Sequence, residues 1–147
     1  MSYGSSSQRW AGVAPPSPEG SPSAPPLRVL IIDDEPVVAR SVARVLAGAD
    51  VTTAGDGRDA LARLAATPDF DVIVCDLTMP GLSGMDVHAA LVTSAPPLVA
   101  RMLFVTGGAV TPAAQEFLAR PDVRHIIKPF ERAALLRAIA EVAGRAP

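Results

Sequence analysis

The feature that most constrains this chain is an alternation that sets in at Leu27, where short apolar runs begin to be separated by stretches with helical spacing. The runs are Arg28 to Ile32, Asp50 to Thr53, Asp71 to Cys75, Arg101 to Val105 and Val123 to Ile127. Between them apolar residues recur at three- and four-residue steps, as in Val38, Val42 and Val45, then Leu61 and Leu64, Val87 and Leu91, and finally Leu135, Ile139 and Val142. That spacing puts one apolar stripe on a helix. Pro36 and Pro112 suit a first helical turn, where the missing N–H has no partner in any case, and Thr111 suits the cap before Pro112. Strand and helix in strict alternation predict βα units and a parallel sheet. Val72-Ile73-Val74-Cys75 is apolar throughout, as a strand covered on both faces must be. The expected fold is therefore α/β: a five-stranded parallel sheet, doubly wound as (βα)5, with strand order 2-1-3-4-5 and ligands outside the carboxyl ends of the strands.

Residues 1 to 26 are of another kind, with six prolines, seven serines and three glycines but no Leu, Ile or Phe. Too little apolar surface is available there to offset the entropy of ordering, so a disordered tail or linker is expected. Tyr3 and Trp10, the single tyrosine and tryptophan of the chain, read as isolated residues of that arm, with a docking role for Trp10 as the alternative. Charge excludes some functions: 13 Lys+Arg against 15 Asp+Glu leave a formal charge of −2, without the basic excess on which sequence-independent nucleic-acid binding rests. One cysteine, Cys75, allows neither an internal disulfide nor a cysteine zinc site. It reads as a small buried hydrophobe. No apolar run approaches the roughly 20 residues of a membrane span, and no secretory leader is evident. The expectation is a cytoplasmic protein with no membrane or nucleic-acid partner.

If the fold carries a site, chemistry should collect where strands end. Asp33, Asp34 and Glu35 follow the first run, Asp76 the third, Thr106 with Gly107 and Gly108 the fourth, and Lys128 with Pro129 the fifth. Three carboxylates gathered on one rim repel each other unless a cation joins them. Mg2+ takes about six oxygen ligands, keeps several waters and favours one or two carboxylates plus phosphate oxygens, so a metal-and-phosphate site fits the set. Each aspartate taken alone has a plainer reading as a helix cap or turn former. Lys128 is the only lysine beside twelve arginines, and a compact ammonium suits a phosphoryl group approached from one side. The Lys128-Pro129 bond is expected to be trans, the commoner state of such bonds. Gly107 and Gly108 read as turn glycines that also leave room for a phosphoryl group. His88 is placed in the polar part of the third helix and read as a surface residue.

Together, Asp33-Asp34 after Arg-Val-Leu-Ile-Ile, Asp76-Leu77-Thr78-Met79-Pro80 with Gly84 beyond, Thr106-Gly107, and Lys128-Pro129-Phe130 resemble the receiver domain of two-component response regulators. The resemblance runs from about Leu27 to Val142, and implies a receiver domain over residues 27–147 after the tail of residues 1–26. It implies Asp76 as phosphoacceptor, taking a phosphoryl group from a phosphohistidine on a histidine kinase or histidine phosphotransfer protein. It further implies Mg2+ held by Asp33, Asp34, Asp76 and the backbone carbonyl of Thr78, with Thr106 and Lys128 on phosphoryl oxygens. Such a domain signals to a downstream protein target and is a phosphoacceptor rather than an enzyme with a turnover of its own. The family commonly has an aromatic switch residue at the position held here by His125, where this sequence departs from the family. Two rival readings are an Asp-nucleophile phosphatase of the haloacid dehalogenase type and a binding module that works without phosphorylation. The first expects an acid two residues after the nucleophile, where Thr78 stands; the second usually lacks an acidic-pocket residue or the lysine, and all are present.

Overall fold

The computed structural model describes residues 25–108 and 111–144; Tyr3 and Trp10, and most of the expected tail, lie outside the described residues. Five strands, β1 (Arg28–Ile32), β2 (Asp50–Ala54), β3 (Val72–Asp76), β4 (Met102–Thr106) and β5 (Arg124–Ile127), form one sheet in the order β2-β1-β3-β4-β5. Every pairing is parallel. The connections are α1 (Pro36–Val45), α2 (Gly57–Ala66), α3 (Gly84–Ser94), the single turn α4 (Pro96–Val99) and α5 (Pro112–Leu118), with α6 (Arg132–Val142) after β5. The expected architecture and strand order are those observed. Four of the five runs differ from expectation by one residue: β3 and β4 start and end one later, β2 extends to Ala54 and β5 starts at Arg124. The turn α4 was not expected from Pro96-Pro97; prolines are nonetheless compatible with a first helical turn, where their absent N–H costs nothing.

Side-chain alternation along the strands divides the core in two. Val29, Ile31, Val72, Val74, Leu103 and Val105 point to one face of the sheet and pack with Ala39 and Val42 of α1 and Leu135 and Ile139 of α6. Leu30, Ile32, Ile73, Cys75, Met102 and Phe104 point to the other, against Ala60 and Leu64 of α2, Val87 and Leu91 of α3, and Phe117 of α5. The central strands β3 and β4 are buried along their whole length, whereas β2 and β5, at the sheet edges, are partly open. Cys75 is buried, as expected. Among the described residues no helix is long and apolar enough to cross a membrane.

His88 is a correction. It is 5% exposed, with its ring 5.0 Å from that of Phe117 in an edge-on contact and 6.0 Å from that of Phe104. Positions 84, 87, 88 and 91 form one helical stripe and are the buried residues of α3, so His88 shares the inward face with Val87 and Leu91. Its Nε2 has no hydrogen-bond partner. Burial, followed by the Arg120 guanidinium, holds its pKa below the ordinary 6.5, with Asp122 opposing. A folded-state value below the unfolded one means that this group's contribution is intact above pH 6.5 and is lost as pH falls below it. His88→Leu removes an unpartnered polar atom and should raise stability by about 1–2 kcal/mol, more at pH 5.5 than at pH 8. Urea unfolding at the two pH values measures this, and an unchanged pH slope in the variant would refute the assignment.

Candidate functional site

The carboxyl ends of β1, β3, β4 and β5 meet at one rim. Residues Asp33 and Asp34 follow β1 directly, Asp76 and Thr106 close β3 and β4, and Lys128 follows β5. Sheet pairing sets their relative heights: Asp76 lies opposite Val105 and Thr106 opposite Ile127. Two backbone bonds carry the ladder past the strand ends, Leu77 N–H donating to the Val105 carbonyl at 2.9 Å and Lys128 N–H donating to the Thr106 carbonyl at 2.8 Å. Lys128 is thereby tied beside Thr106 before its side chain makes any contact. The Lys128-Pro129 bond that follows is cis, not trans as expected.

Asp33, Asp34 and Asp76 each bring a carboxylate oxygen to within 4.8 Å of the other two. Asp33 and Asp76 are buried, at 7% and 8% exposure, while Asp34 keeps contact with solvent. Local backbone donors orient the two buried groups: Glu35 N–H donates to Asp33 Oδ1 at 2.9 Å and Thr78 N–H to Asp76 Oδ1 at 3.3 Å. Lys128 Nζ stands 3.9 Å from Asp33 Oδ2. One ammonium facing three carboxylates leaves the group short of positive charge. Burial raises the pKa of Asp76 from 3.8 to about 6; Lys128 pulls it down, while Asp33 and Asp34 push it up. Asp33 is raised as well, again first by burial, against the Glu35 N–H and Lys128. Oxygen donors at this spacing, partly dry and lacking countercharge, fit a small hard divalent cation with waters and an anionic ligand completing its shell.

Thr106 is buried, and its Oγ1 accepts a hydrogen bond from Gly108 N–H at 3.3 Å. Gly108 has φ +103°, a backbone conformation that favours glycine, and the space where its Cβ would stand is open. Both readings of this glycine, turn former and space former, agree with that geometry. Thr78 is exposed two residues after Asp76. His125 is half-buried on β5, opposite Phe104. Asp33, Asp34, Asp76, Thr106 and Lys128 thus share one rim, whereas His125, named through the resemblance, lies within β5. The residues that sequence reasoning missed are those behind the rim, His88 with Phe104 and Phe117, whose rings pack on one another.

A family model described as the response regulator receiver domain matches residues 29–140. The chain belongs to the response regulator receiver domain family. Among curated proteins, this receiver domain is similar to the nitrate/nitrite response regulator protein NarP of Escherichia coli, with 45% identity over 74 residues, which are 48% of this chain and 34% of NarP. It is 27% identical over 125 residues to the chemotaxis protein CheY of Treponema pallidum, covering 82% of this chain and 85% of CheY. Among solved structures, the chemotaxis response regulator CheY4 of Vibrio cholerae matches with a TM-score of 0.67 and 32% identity over 80% of this chain and 98% of CheY4. The match spans about a third of NarP and most of the two chemotaxis proteins.

Proposed function

We propose that this receiver domain is a phosphoacceptor in a two-component phosphorelay, with Asp76 as the residue modified. The observation that carries the reading is the gathering of Asp33, Asp34 and Asp76 within 4.8 Å at the carboxyl ends of the central strands, with Lys128 3.9 Å from Asp33. An Asp76 carboxylate oxygen attacks the phosphorus of a phosphohistidine on a histidine kinase or phosphotransfer protein. The O–P bond forms as the N–P bond breaks, and the departing imidazole keeps the electron pair and takes up a proton. No general base is needed, because the nucleophile is an anion above its pKa of about 6. Asp33, Asp34 and Asp76, with the Thr78 carbonyl, would hold Mg2+, which when bound supplies positive charge to the phosphoryl oxygens. Lys128 adds a second positive charge from the β5 side and Thr106 a hydroxyl from β4, in keeping with a reaction that depends on positioning and charge stabilisation.

The modified Asp76 carries new negative charge and strong acceptors beside Thr106 and the Gly108 N–H. A local change of this kind biases neighbouring segments, here the β4–α5 connection and α5. The output is a changed protein-binding surface read by a downstream protein target. The cytoplasm is the compartment that such a relay requires. Intact mass after incubation with acetyl phosphate tests the reading: an adduct of one phosphoryl group is expected with Mg2+, absent without it and absent in Asp76→Asn. An adduct that persists in Asp76→Asn would remove Asp76 from its role.

A further inference from the structure

On the face of the sheet that carries α1 and α6, the two helices leave an apolar groove of about 670 Å3. Leu27, Leu46, Leu136 and Ile139 line it, together with Arg132 and Arg137 of α6. Leu136 is 37% exposed, one of few large apolar side chains open to solvent among the described residues. The groove is far from the acidic rim in composition, since no carboxylate lines it. Its size falls in the range of pockets that bury one drug-sized group.

We propose that the occupant of this groove is the N-terminal segment of the same chain, with Trp10 as its anchor. The segment leaves the fold at the groove itself, because Leu27 lines it and residues 1–26 lead directly into Leu27. Trp10 is the single tryptophan of the chain and the largest apolar side chain of a segment without Leu, Ile or Phe. Sixteen residues lie between it and Leu27, and a flexible chain of that length has a root-mean-square span of roughly 20–24 Å. Helix α6, with 11 residues, is only about 16 Å long. The anchor therefore reaches any part of the groove without being stretched. Tethering at that length gives an effective concentration in the millimolar range, so even a weak contact is substantially occupied.

Chemistry matches as well as reach. An indole fills an apolar slot with a rigid ring and takes a guanidinium over its face, and Arg132 and Arg137 supply two guanidinium groups. The segment's single acid, Glu19, lies between Trp10 and Leu27, on the stretch that would pass those arginines. A second copy of the chain brings the same tryptophan, but at the far lower concentration of a free molecule.

Fluorescence of the full chain tests this directly, since Trp10 is the only tryptophan reporter. At low protein concentration the emission is expected to be blue-shifted, and acrylamide quenching several-fold weaker than for the same chain unfolded in urea. Leu136→Lys, and independently Ala133→Lys at an exposed position of α6, should restore the red-shifted, readily quenched emission, with circular dichroism confirming the fold. Val92→Lys on the exposed side of α3 should change nothing. Solvent-like emission in the unaltered protein, or protection that both groove variants leave intact, would overturn the proposal. Protection that grows with protein concentration alongside a doubled mass in light scattering would overturn it in favour of a second copy.

Discussion

Replacing Asp76 by asparagine is expected to stabilise the metal-free protein at pH 7 by on the order of 2–3 kcal/mol, at about 1.36 kcal/mol per unit of pKa displacement. Burial places the folded-state pKa at about 6, against 3.8 for the free group. The folded protein thus binds this proton more tightly than the unfolded chain does. Its contribution is whole below pH 3.8, is lost as pH rises through about 6, and stays lost above. Asparagine is neutral throughout, so the gap between variant and wild type should open between about pH 4 and pH 6 and then level off. Chemical denaturation in chelator across this range measures it, and a gap between variant and wild type that is the same at pH 7 and pH 4 would show that burial does not strain the carboxylate. Magnesium at a hundred times its dissociation constant should add about 2.7 kcal/mol to the wild type. Asp76→Asn, lacking one proposed ligand, should gain less. His88 tilts stability the opposite way over neighbouring pH values, being destabilising on the acid side. The two contributions partly offset each other in the wild type, and each variant exposes the slope of the other group.

Gly84→Ala should lower stability by about 1–3 kcal/mol, the usual penalty of overpacking, and lower Tm by on the order of 5–10 °C. Gly84 opens α3, and its N–H donates to the Leu77 carbonyl at 2.9 Å. A Cβ there would sit 2.8 Å from the Asp76 carbonyl oxygen and 2.9 Å from Leu77 Cα. Both atoms belong to the backbone just past the proposed nucleophile, so relief comes only by moving α3 or the end of β3. The higher helix propensity of alanine offsets part of the penalty and leaves the displacement. Phosphorylation from acetyl phosphate should slow in the same variant, because the atoms that shift carry Asp76. Gly55→Ala serves as the control: nothing lies within 4 Å of its added Cβ, and an ordinary surface change stays within about 0.5 kcal/mol. Equal melting of the two variants would show that Gly84 is not closely packed against Asp76.

Which parts of this molecule can be read from the chain follows from the range of the signal. Val72 to Cys75 reads as a strand buried on both faces because it is apolar throughout, and β3 is buried along its length. The stripes of α1 and α6 are visible because helical spacing is a local property. Strand ends are local as well, and the rule that ligands collect there brings Asp33, Asp34, Asp76, Thr106 and Lys128 to one rim from four separate stretches of sequence. His88 is legible too, in its spacing to Val87 and Leu91 on the buried stripe of α3, but the polarity of an imidazole masks that position when the residue is taken alone.

Periodicity and the alternation of strand and helix are sufficient for a doubly wound parallel sheet, strand ends for the membership of the rim, and the likeness to receiver domains for the strand order. Tertiary packing alone decided how dry that rim is, and hence that Asp76 holds its proton up to about pH 6, since desolvation is summed over neighbours from distant parts of the chain. The same holds for the ring contacts that close over His88, for the narrow gap between Gly84 and the backbone after Asp76, and for the groove that opens beside Leu27. Each depends on a distance between segments that are far apart in sequence, and such distances exist only once the layers have packed.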